Sequence, residues 1–60
     1  MQKYIVTFGF EDPDDGEYQI AKSRPILAEN EDEACIKLKD QFESIEGMPC
    51  DISSVKLISE

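Results

Sequence analysis

Sixty residues make one domain, 1–60, whose core is marginal and leaves no room for a deep substrate pocket. The chain has 14 Asp and Glu against 6 Lys and Arg and no His, a formal net charge of -8. That balance repels nucleic acid and anionic membrane and favours basic protein surfaces, and its simplest consequence is solubility.

The run Lys3-Tyr4-Ile5-Val6-Thr7-Phe8-Gly9-Phe10 alternates at period two. Tyr4, Val6, Phe8 and Phe10 point one way, and the other face, with Ile5 and Thr7, is only half polar. A strand with neighbours on both sides has this pattern, so it is expected at the centre of the sheet. Glu11-Asp12-Pro13-Asp14-Asp15-Gly16-Glu17 then reads as a hairpin loop. Pro13 fixes φ, Gly16 supplies a positive φ, and Asp side chains bond nearby backbone NH groups. Five carboxylates sit in this tip: Glu11, Asp12, Asp14, Asp15 and Glu17.

Glu17 to Lys22 is the expected second strand, antiparallel to the first, with Tyr18 and Ile20 on the core face beside Val6 and Phe8. Pro25 cannot sit within a central strand, so this one lies at an edge or breaks there, with Ile26-Leu27-Ala28 continuing it. Asn30 is a favoured helix N-cap, with Glu33 three residues on and Glu31, Asp32 and Glu33 in the first turn, where the helix dipole is positive. Ala34, Leu38, Phe42 and Ile45, with Cys35 beside them, form an apolar stripe. Ile36 falls opposite. Gly47 suits the C′ position and Pro49 stops the helix. Ile52 to Ile58 is the third strand, with Val55 and Leu57 on one face and Lys56 and Ile58 on the other.

The fold class is therefore α+β: a β-β-α-β domain whose three-stranded antiparallel sheet has order 2-1-3, with one helix packed on one face. Placing the third strand beside the second would leave the most apolar strand at an edge, an aggregation hazard. The open sheet face is expected to carry Ile5, Thr7, Gln19, Ala21 and Ile58.

No constellation for chemistry survives comparison with its requirements. Counted from Asp12, an EF-hand loop would need oxygen ligands at its fifth and twelfth positions and Gly at its sixth; the chain has Gly16, Ser23 and Glu17 there. Cys35 and Cys50, without His, make half of a tetrahedral zinc site; Cys35 reads as a core-edge residue and Cys50 as a loop residue. General acid–base work needs a carboxylate buried in a cleft, and the carboxylates here fall on exposed positions. Neither an enzyme nor a cofactor is expected. An RNA-binding sheet needs exposed aromatics amid basic residues, and here the aromatics of the first strand go beneath the helix.

The charge is unevenly spread. Lys3, Lys22, Arg24 and Lys56 gather at one end of the sheet and the acidic tip lies at the other. Asp40, Glu43 and Glu46 add acid to the outer helix, with Ile36 apolar among them. The pattern and charge, taken over the whole chain, resemble those of many small phage or mobile-element proteins. These features point to a non-enzymatic acidic module that docks on a larger protein with a basic surface, as an inhibitor that mimics nucleic acid. The expected contact residues are Glu11, Asp12, Asp14, Asp15, Glu17, Ile36, Asp40, Glu43 and Glu46. Direct nucleic-acid or membrane binding is not expected. The alternative is a structural subunit that homodimerises through its open sheet face or an edge strand. Met1-Gln2-Lys3 leads straight into a strand without an apolar run, so a cytoplasmic, reduced setting with free thiols is expected.

Overall fold

The computed structural model describes residues 1–59. Its elements are β1 (Gln2–Glu11), β2 (Tyr18–Lys22), β3 (Ile26–Ala28), α1 (Glu31–Glu46) and β4 (Asp51–Ser59). Each of β2, β3 and β4 pairs antiparallel with β1. β4 pairs along Lys3–Gly9, so β2 and β3 share the opposite edge of β1, end to end. The expected 2-1-3 order holds, its second strand divided into two segments at Pro25.

The break is patched by one side chain. Pro25 has no NH to donate. Ser23 turns in beside Val6 instead: the Val6 N–H donates to Ser23 Oγ at 3.0 Å and the Ser23 N–H to the Val6 carbonyl at 2.8 Å. The backbone of the central strand thus stays satisfied across the gap, as a part-buried polar group must.

Tyr4, Val6 and Phe8 are buried on the helix side of β1, with Ala28, Ala34, Leu38 and Cys50 around them. The Phe8 ring meets Phe42 edge-on at 5.2 Å, and Phe10 lies 5.2 Å from Phe42 and 6.0 Å from Phe8, so the three rings form a triangle. The Tyr4 hydroxyl, brought inside with its ring, donates to Gln2 Oε1. Cys50 is a loop residue, as expected, and also a core one. It sits in the connection before β4, but is only 3% exposed, a small soft side chain filling the core.

The helix starts and stops where its caps require. Asn30 is extended, and its Oδ1 accepts from the Glu33 N–H at 2.8 Å. Glu33 Oε1 reaches back to the Glu29 N–H, one residue before the usual capping-box partner. Gly47 takes φ 71° and donates its N–H to the Glu43 carbonyl. Replacing Asn30 with Ala is expected to cost about 0.5–2 kcal/mol, the value of a lost N-cap acceptor. A urea melt matching the parent would move the helix start elsewhere.

Two expectations about facing are overturned. The register sets Phe8 beside Ala21 and Phe10 beside Gln19, so Ala21 and Gln19 lie on the helix side. Tyr18 and Ile20 lie on the open face and are 58% and 61% exposed. The reason is Gly9. The Tyr18 ring lies across it so closely that a Cβ there would fall 2.0 Å from the Tyr18 hydroxyl oxygen. A glycine in a strand interior marks such an approach. The second correction concerns Ile45, which is 79% exposed rather than part of the covered stripe. It overhangs an open groove of about 640 Å3, whose walls include Phe8, Ile26, Leu38 and Phe42, where no strand reaches the last helical turn.

Candidate functional site

The acidic tip is built by its own side chains. The Asp12 N–H donates to the Glu17 carbonyl at 2.7 Å and the Gly16 N–H to the Asp12 carbonyl at 2.8 Å. Asp12 Oδ1 accepts from the Asp14 N–H, and Asp15 Oδ1 from the Glu17 N–H. Gly16, at φ 75°, lets the chain turn back. The five carboxylates therefore divide. Asp12 and Asp15 shape the loop, as Asx turns do. Glu11, Asp14 and Glu17 are exposed, and their side chains accept no hydrogen bond from the described residues.

On α1, Ile36, Asp40 and Glu43 follow at i, i+4 and i+7, one stripe pointing away from Leu38. All three are exposed, as is Glu46. Lys37 offers less dilution than its charge suggests. Its Nζ pairs with Glu33 at 3.2 Å and donates to the Leu27 carbonyl at 2.7 Å, tying α1 to β3.

The packing brings much of this acid together. Phe42 packs at a tilt against Phe10, the last apolar residue before the tip. That contact sets the C-terminal half of α1, with Glu43 and Glu46, at the end of the molecule that carries Glu11–Glu17. Asp51 opens β4 beside Gly9 and joins the same end. Asp40 and Ile36 lie further back along the helix. Lys3 and Lys56, the latter beside Ile5, stand in the opposite half of the sheet, whereas Lys22, beside Thr7, is at its middle and Arg24 lines the same groove as Glu46, so the four expected basic residues do not all gather at one end. At 38 × 18 × 15 Å the molecule is elongated, which keeps the two ends apart.

Among the described residues no polar or charged side chain is buried. Glu11, Asp14, Glu17, Asp40, Glu43 and Glu46 are exposed, so their interactions with a partner are long-ranged and screened by salt. The thiols behave differently. Burial, reinforced by Asp32 and Glu31 against the pull of Lys39, pushes Cys35 above the usual thiol range. Burial also raises Cys50, with Glu43 and Asp51 adding and Lys39 opposing. Both are held as the protonated thiol, the weaker nucleophile and metal ligand. Among the described residues no group of three or more Cys, Asp or Glu is placed to hold a metal ion. No helix among them is long and apolar enough to cross a membrane.

Sequence reasoning missed the exposed Tyr18. The available signal was Gly9, whose missing side chain leaves a gap on the open face of β1. Comparison with protein-family models, curated proteins and solved structures finds no match for this chain.

Proposed function

We propose that this is a non-enzymatic acidic protein-binding module that occupies a basic site on a larger cytoplasmic protein. In this reading it acts as an inhibitor, its carboxylates standing in for the phosphates of a nucleic acid. The supporting observation is the concentration of exposed carboxylates at one end: Glu11, Asp14 and Glu17 from the tip, Glu43 and Glu46 from the helix. A surface of this sign steers a basic partner into contact and speeds association.

The test is capture at low salt, followed by affinity for the captured partner at two salt concentrations. Asp14→Lys with Glu17→Lys is the informative pair, because neither side chain holds the loop together. The pair is expected to weaken binding about tenfold or more, largely through slower association, and to flatten the salt dependence. Ile36→Asp removes an apolar contact while adding acid. Affinity unmoved by salt and by the loop pair, but lost in Ile36→Asp, would sink the mimic.

A further inference from the structure

No described element covers the sheet face opposite α1. Along β1 this face carries Lys3, Ile5, Thr7, Gly9 and Glu11, the residues that alternate with the buried Tyr4, Val6 and Phe8. Their ladder partners share it: Leu27 beside Lys3, Lys56 beside Ile5, Lys22 and Ser54 beside Thr7, Ile20 and Asp51 beside Gly9, Tyr18 beside Glu11. Three large apolar side chains stand out from it, Tyr18, Ile20 and Leu27, each more than half exposed. Its charges are polarised, Lys at the Lys3 end and Glu11 and Asp51 towards the other.

We propose that this face packs on the same face of a second copy of the chain. The two-fold axis would lie between the sheets, across the strands at Thr7. This goes beyond the acidic docking surface and shares only Glu11 with it.

The argument is one of self-complementarity, which a two-fold interface demands. Thr7 is the midpoint of the run from Lys3 to Glu11. Reversal about it sets Lys3 over the second copy's Glu11. It sets Lys56, beside Ile5, over Asp51, beside Gly9. On the other edge it sets Leu27, beside Lys3, over Tyr18, beside Glu11. Each of these contacts occurs twice. Face-to-face sheets pack with strands aligned to within about 30°, so the correspondence tolerates the usual twist. One pairing is adverse: Lys22, beside Thr7, meets its own copy. It lies on an edge strand, where a long side chain lifts its ammonium into water. Area is adequate. The molecule measures 38 by 18 Å in its longer directions, and a face of that order on each copy covers the roughly 1,000 Å2 a specific interface needs. Tyr18, rigid on Gly9 with its outer surface bare, is the type of residue that anchors such contacts.

The experiment is sedimentation equilibrium of the full chain, with circular dichroism to check each variant's fold. The parent is expected at twice its 6.8 kDa mass at about 100 µM. The chain with Lys3→Glu and Lys56→Glu, and the chain with Glu11→Lys and Asp51→Lys, are each expected to dimerise about tenfold or more weakly. The second is the more telling, since it reduces the net negative charge and would otherwise favour association. An equimolar mixture of the two restores every pair and is expected to form the heterodimer. Lys22→Gln is expected to tighten the parent dimer. A parent that stays at 6.8 kDa up to about 1 mM, the weak end of specific association, overturns the proposal. So does a dimer that both reversed chains retain, or one that the mixture fails to restore.

Discussion

Phe8→Ala is expected to cost about 3–5 kcal/mol, the range for emptying a buried aromatic site. Phe8 is 6% exposed and holds Phe42 at 5.2 Å, so its removal opens the sheet–helix contact at its centre. A domain of this size has a total stability of only about 3–9 kcal/mol. The variant should therefore be largely unfolded, visible as a lost cooperative urea transition. A loss below about 1 kcal/mol, typical of surface changes, would put Phe8 outside the core and overturn the fold.

Leu38→Ala is expected to cost about 2–5 kcal/mol, because Leu38 is the one large side chain α1 buries fully against the sheet. Its contrast is Ile45→Ala, which removes a larger aliphatic group than Ala from a site 79% open to water and is expected to change stability by no more than about 0.5 kcal/mol. Chemical melts of the two decide which end of the helix carries the packing. Equal losses would mean that the last turn is covered after all.

The architecture was legible because several local signals agreed. The alternation of β1, the Asn30 and Gly47 caps and the break at Pro25 each named an element boundary, and the observed elements lie there. Facing was harder. Tyr18-Gln19-Ile20-Ala21 alternates, but a strand with a Tyr/Ile face and a Gln/Ala face reads most simply with the larger pair inside. Register decided otherwise, since a shift of one residue turns every side chain over. Gly9, which admits the Tyr18 ring on the open face, goes with that register, and period alone does not contain it. Ile45 failed for another reason: a helical wheel gives direction but not how far the neighbouring sheet extends. Of the candidate site, the exposed carboxylates were readable from sequence. That Asp12 and Asp15 are occupied with the turn, and that Phe42 carries Glu43 and Glu46 to the same end, required the tertiary contacts.

The sharing of β1 by all three ladders has a consequence for the order in which the chain acquires structure. The β1–β2 hairpin closes over a few residues, whereas the β1–β4 ladder joins Lys3 to Ser59. Closing the long span costs more chain entropy, and non-local pairing slows folding. The hairpin and α1 can therefore begin early, but one edge of β1 stays unpaired until β4 arrives. Docking of β4 is therefore the expected slow step, and exposure to aggregation through the unpaired edge is expected to last as long as that wait.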